Sequence, residues 1–270
     1  MPPNPMPQQV IMKNDLMLDG RPVGLEAGRR GLKPGRPTLI LIHGTGGSRL
    51  TWRCQTRPLD KNINIAALEL PGHGETPGPP LDTIAGYADW TTRVLEALPL
   101  ATRPVLGGIS MGGAVAMETA LSKPDLLAGL ILIATGARLC LDPDLVQGLE
   151  KDFLGAISGF AESIFTPKIN PATVRQSFEV MAAAGPEVIL ADLRCSHDFN
   201  RQNQVRNIQV PALVLCGEQD RLTPPELSIF LADKIPGARL KIIKRSGHMP
   251  HIEQWATVNR AILNFIQALG

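Results

Sequence analysis

The sequence predicts an α/β protein: a mostly parallel sheet of eight strands with helices on both faces, broken once by a long helical insertion. Three observations predict it. Short continuous aliphatic runs at 38–42, 63–68, 130–134 and 212–216 carry no polar alternation, as strands buried on both faces do. Stretches of helical spacing lie between most of them, so successive strands are joined by crossovers and run parallel. From 137 to 207 no such run occurs, and the alternation resumes only afterwards.

The elements follow in order. Residues 1–9, rich in proline, read as a loose tail, and 10–18 and 21–27 as two weak strands in an edge hairpin. The strand at 38–42 ends in His43-Gly44, and that at 63–68 leads to Pro71-Gly72-His73-Gly74. Ile84, Tyr87, Val94 and Leu98 share a face of a helix over 81–98, with Asp82 as its expected cap. The run at 104–106 enters Gly107-Gly108-Ile109-Ser110-Met111-Gly112-Gly113, and a helix over 114–121 follows, limited by Pro124. In 137–207, Phe153, Ile157, Phe160 and Ile164 form one apolar face and Val174, Phe178 and Met181 another, punctuated by Pro143, Pro167, Pro171 and Pro186. After the strand at 212–216 come a helix over 225–235, a last strand at 239–243 and a closing helix over 255–269, with Val258, Ile262, Phe265 and Ile266 inward. The expected division is a core domain of 1–136 and 208–270, with 137–207 as a helical lid inserted after the sixth strand. The lid would cover the strands' carboxyl ends, where open α/β sheets bind ligands.

Composition narrows the function. A net charge of +2 with scattered basic residues points away from nucleic acid, and 44% hydrophobic residues suffice for a large core. Cys54, Cys140, Cys195 and Cys216 form no C-x-x-C and read as reduced thiols. No apolar run has membrane-spanning length, and no charged n-region precedes an apolar core at the N-terminus. The expectation is a cytoplasmic protein, monomer or homodimer, acting on a small molecule without nucleic acid, membrane, metal or cofactor.

Chemistry concentrates at strand carboxyl ends. Gly108-x-Ser110-x-Gly112 between strand and helix has the spacing of a nucleophile elbow. A serine raised on such a turn sits at a helix N-terminus, and its glycine neighbours allow close backbone approach. In His43-Gly44-Thr45-Gly46-Gly47-Ser48, glycines admit a substrate oxygen to backbone N–H groups. The expected oxyanion donors are the N–H groups of Met111 and Thr45, with Gly46 the alternate to Thr45. His43 is expected to hold its loop, and His73 to sit in a turn. Asp220, in Gly217-Glu218-Gln219-Asp220, could orient an imidazole, with Glu218 as competitor. In Gly247-His248-Met249-Pro250-His251, His248 is the expected base and His251 a structural residue.

The order Ser110, Asp220, His248 is that of the α/β-hydrolases. Leu41-Ile42-His43-Gly44, Leu70-Pro71-Gly72-His73-Gly74, Gly108-Ile109-Ser110-Met111-Gly112-Gly113, Leu215-Cys216-Gly217-Glu218-Gln219-Asp220 and Ser246-Gly247-His248 together resemble that superfamily, from about residue 10 onward. They resemble its lid-bearing branch of esterases, enol-lactonases, C–C bond hydrolases and cofactor-free perhydrolases. The resemblance implies a carboxylesterase-like serine hydrolase working through an acyl-enzyme, with enol-lactonase or C–C bond hydrolase chemistry as the alternative. A ligand-binding module on the same fold is the non-enzyme alternative. Many relatives carry histidine before the serine; Ile109 stands here and implies a more apolar pocket. C–C hydrolases usually carry tryptophan after the histidine and an arginine in the lid, whereas this chain has Met249, with Arg194 available in the lid.

Overall fold

The computed structural model describes residues 16–140 and 143–270. The expected tail over 1–9 lies outside them, as does most of the strand expected over 10–18. The elements in order are β1 (Met17–Leu18), β2 (Arg21–Pro22), β3 (Leu25–Ala27), β4 (Thr38–Ile42), α1 (Arg53–Leu59), β5 (Asn64–Leu68), α2 (Ile84–Ala97), β6 (Val105–Ile109), α3 (Met111–Ser122) and β7 (Gly129–Ile133). Then come α4 (Pro143–Lys151), α5 (Phe153–Ser163), α6 (Pro171–Asp198), β8 (Ala212–Gly217), α7 (Pro225–Lys234), β9 (Arg239–Ile243), α8 (Pro250–Glu253) and α9 (Trp255–Gln267).

The main sheet has seven strands among the described residues, in the order β3-β5-β4-β6-β7-β8-β9. Only β3 is antiparallel to its neighbour. Of the eight strands expected, the first lies mostly outside the described residues, and the second breaks at Val23-Gly24. Its first half pairs with β1 in a separate two-stranded ladder, and its second half pairs with β5. The break has a local cause: a side chain on Gly24 would collide with Glu69, whose N–H donates to the Gly24 carbonyl at 2.7 Å.

The aliphatic runs are continuous because both sheet faces are covered. Ile40, Ile42, Leu130, Leu132 and Val214 point to one core, shared with α2, α3 and α7. Leu39, Leu41, Ile131, Ile133 and Leu215 point to the other, shared with α1, α9 and parts of α5 and α6. Pleating sends alternate residues to opposite faces, so apolar cover on both leaves no polar positions. The edge strand β9 differs: Arg239, Leu240, Lys241 and Ile242 are all exposed, and charges there protect an unpaired edge.

Three helices, α4 to α6, separate β7 from β8 where the alternation lapsed. Pro143 and Pro171 open α4 and α6, a position that suits proline. α6 is broken at Gly185, whose φ of 83° is not helical and which precedes Pro186. The cap of α2 is Thr83 rather than Asp82: the Thr83 side chain accepts the Gly86 N–H at 3.0 Å. The short helix α1 had no counterpart in the sequence reading. Among the described residues no helix is long and apolar enough to cross a membrane.

Candidate active site

Ser110 caps α3 at the end of β6, with φ 53° and ψ −121°. That positive φ is costly for a residue with a side chain, and the surroundings enforce it. The Ser110 N–H donates to the Ile133 carbonyl at 3.0 Å, and the Thr135 hydroxyl donates to the Ser110 carbonyl at 2.8 Å. A Cβ on Gly108 would collide with the Gly112 carbonyl, and one on Gly112 with the carbonyls of Ile42 and His43. The turn therefore closes only with glycine at both places.

The loop after β4 lies against this turn: a Cβ on Gly44 would stand 3.3 Å from the Ser110 Cβ. His43, fully buried, holds that loop. Its Nδ1–H donates to the Gly44 carbonyl at 2.8 Å, and its Nε2 accepts the Leu70 N–H at 3.2 Å. Burial, and then the neighbouring His73 charge, push the His43 imidazole well below its ordinary range, so it is neutral. The Gly46 N–H is taken by Asp192 Oδ2 at 2.8 Å. Among the described residues the N–H groups of Thr45 and Met111 meet no acceptor.

Asp220 and His248 meet at the ends of β8 and β9. Asp220 Oδ2 accepts His248 Nδ1–H at 2.9 Å and the Thr223 hydroxyl at 2.7 Å. Its Oδ1 accepts the N–H groups of Leu222 and Thr223 at 2.9 and 3.0 Å. Burial raises the Asp220 carboxyl, but the His248 hydrogen bond and charge and the Thr223 donors outweigh it. The net effect holds Asp220 below the usual carboxylate range. Glu218, the competitor, is exposed, and its carboxylate accepts the Arg245 N–H.

His251 is fully buried with its ring 4.6 Å from that of Trp52, and burial pushes its imidazole down to about 3. The insert reaches the histidine loop directly. The His248 N–H donates to the Ile164 carbonyl at 3.0 Å, and Glu253 accepts from both Gly247 N–H (2.8 Å) and Thr166 N–H (2.9 Å).

Ser110, His248 and Thr45 face one cavity of about 710 Å³. Asp220 and Met111 lie behind it, buried. The insert contributes Phe160, Ile164 and Met181 to its wall, and Arg53, Gln176 and Glu179 add polar groups. The aromatic face read from the sequence is divided. Ile157 is buried in the core, and Phe178 faces a separate groove of about 530 Å³ within the insert. Arg194 is exposed and does not line the cavity.

Three residues escaped the sequence reading. Thr223 and Glu253 left no signal there. Asp192 left one: a lone carboxylate between Ile189 and Leu193 on the buried side of α6. His73, read as a turn residue, is its partner.

A strained serine between strand and helix, a histidine–aspartate pair across the cleft and a parallel sheet beneath them define a protein class. The chain belongs to the alpha/beta hydrolase family, whose sequence model matches residues 39–261, and by that membership it is a hydrolase. It is similar to the pimeloyl-[acyl-carrier protein] methyl ester esterase of Neisseria meningitidis, 28% identical over 239 residues that cover 82% of this chain and 91% of the relative. Among solved structures it resembles the thermophilic esterase of Thermogutta terrifontis, 26% identical, with a TM-score of 0.82 over 97% of this chain and 99% of that one. It shares its fold with the enol-lactonase of Burkholderia xenovorans LB400, 22% identical, with a TM-score of 0.82 over 92% and 98% of the two chains.

Proposed function

We propose that the protein is a serine hydrolase that cleaves a carboxylic ester, or a related acyl bond, of a small and mainly apolar substrate. The observation that carries this reading is the convergence on one cavity of Ser110 and of His248 backed by Asp220. With Nδ1–H committed to Asp220, Nε2 of His248 is the nitrogen free to act as base. It takes the Ser110 proton as the hydroxyl adds to the substrate carbonyl. Asp220, held ionised, stabilises the imidazolium that forms. The N–H groups of Thr45 and Met111 receive the oxyanion; Gly46 is set aside because its N–H is already bonded to Asp192. Collapse expels the alcohol, which takes its proton from His248, and water activated by His248 then releases the acid.

The segment 137–207 serves as a lid on a core made of 1–136 and 208–270. The apolar wall of Phe160, Ile164 and Met181 supports an apolar acyl or alcohol group. Exposure of Arg194 counts against C–C bond hydrolysis. The four free thiols suit a reducing cytoplasm.

The test is Ser110→Ala, assayed on p-nitrophenyl esters beside lactones and thioesters, with labelling by a serine-directed phosphonate. The parent should turn over esters and take the label at Ser110. The variant should fold and lose activity on the order of a millionfold in kcat. Residual turnover within tenfold of the parent would exclude Ser110 as nucleophile.

A further inference from the structure

Asp192 sits on α6 after the break at Gly185, with no exposed surface. Its Oδ2 accepts the Gly46 N–H at 2.8 Å and His73 Nε2–H at 2.9 Å, and its Oδ1 accepts the Tyr87 hydroxyl at 3.2 Å. The loops after β4 and β5, helix α2 and the insert thus meet on one carboxylate. A buried carboxylate is costly unless a cation and donors compensate it. His73 supplies the cation. Its Nδ1 faces the Pro71 carbonyl at 3.1 Å, so both ring nitrogens point at acceptors and a doubly protonated ring satisfies both.

The pair acts on a particular peptide. His73 packs on the neutral ring of His43, with centroids 4.6 Å apart, and His43 in turn holds the Gly44 carbonyl. That carbonyl also accepts the Gly47 N–H at 3.0 Å. In a trans peptide the N–H of Thr45 points opposite to the Gly44 carbonyl, so fixing one fixes the other. On the far side of Thr45, Asp192 fixes the next N–H. Gly46, at φ +58°, also lies beneath the insert: a Cβ there would come within 2.8 Å of Ile189 Cγ1.

We propose that Asp192, a residue of the insert, is a positioning residue for the oxyanion hole. By gripping Gly46 and the packed His73–His43 pair it holds the peptides on both sides of Thr45, aiming the Thr45 N–H at the developing oxyanion. The donor is then in place only while the second half of α6 is docked. This rests on the serine hydrolase reading above.

The experiment compares the parent with Asp192→Asn, whose neutral amide no longer compensates the His73 cation and so weakens the shared grip on His73 and Gly46, and with Arg194→Ala on the exposed side of the same helix. Readouts are kcat and KM on one ester, the Ki of a trifluoromethyl ketone that forms a tetrahedral adduct, and thermal melting. Asp192→Asn should lose roughly tenfold to a hundredfold in kcat, less than deleting a donor outright, with KM within about twofold. The ketone Ki should rise in proportion, and Arg194→Ala should match the parent. Should Asp192→Asn not fold, Asp192→Glu keeps the charge for His73 while its extra methylene displaces the Gly46 contact, and the same loss is expected. A folded variant within threefold of the parent in kcat overturns the proposal. So does a kcat loss that the ketone Ki does not follow, since that marks a purely structural role. A parent that neither turns over esters nor takes the phosphonate overturns the hydrolase reading and this inference with it.

Discussion

Four histidines of the core have been given different states by their partners. His43 is neutral between a carbonyl and an N–H; His73 is paired with a buried carboxylate; His248 shares its Nδ1 proton with Asp220; His251 is packed against Trp52. Only His248 faces the cavity. His248→Ala should therefore cost about as much kcat as Ser110→Ala, because the two act as a unit. His251→Ala should keep kcat within about fivefold yet lower stability by about 2–4 kcal/mol, since deleting a buried ring leaves a void. Steady-state kinetics with denaturant melts checks both, and a severe kcat loss in His251→Ala would reverse the roles. Ser110, Asp220 and His248 were legible because each stands in a short loop directly after a strand, where spacing and order carry the information. Asp220 is preferred to Glu218 on the order of the motifs alone; in the structure, two residues apart, one is buried on the imidazole and the other accepts a backbone N–H in solvent. The His73–Asp192 pair was not legible at all. Its members lie 119 residues apart, and no local pattern links them.

At the scale of elements, continuous aliphatic runs and period-3.6 spacing located most strands and helices. They located faces without saying what covers each one. Phe160 and Ile164 come to the cavity, whereas Ile157 on the same stripe fills the core and Phe178 looks into another groove. The break at Gly185 was hidden too, because Pro186 alone gives a helix boundary but not its angle. The apolar part of the wall still predicts a chain-length effect. Each methylene buried there is worth roughly 0.8 kcal/mol, so kcat/KM should rise about threefold to fourfold per carbon from acetate to octanoate until the wall is covered. Phe160→Ala should flatten that series at its long end while leaving acetate unchanged. A flat series in the parent would mean that Arg53, Gln176 and Glu179, rather than the apolar side, select the substrate.

For the whole molecule, burying several titratable groups makes stability a function of pH. Two imidazoles are held neutral in the fold: His43, pushed well below its ordinary value, and His251, pushed to about 3, each mainly by burial. In the unfolded chain both titrate near 6.5. As pH falls below that value the unfolded chain binds protons that the fold refuses, so stability is present above about 6.5 and drains away toward pH 3. Each such proton contributes up to about 1.4 kcal/mol per pH unit. Asp220, held below its ordinary value, adds to the same loss once the pH nears the carboxylate range. His73 works in the opposite direction. Burial lowers it, but the Asp192 charge and hydrogen bond outweigh burial and raise it. The folded state thus keeps the His73 proton above 6.5 while the unfolded chain releases its own, and that contribution is lost as pH climbs through the raised value. Both limbs begin near the unfolded histidine value, so stability should peak close to neutrality and fall on either side. Urea unfolding at pH 4.5, 6.5 and 8.5 measures this. His251→Phe should remove up to one proton's worth of slope from the acid limb, and His73→Gln should remove the decline above 6.5. A parent equally stable at pH 4.5 and 6.5 would mean that His43 and His251 take up protons inside the fold, which their burial forbids.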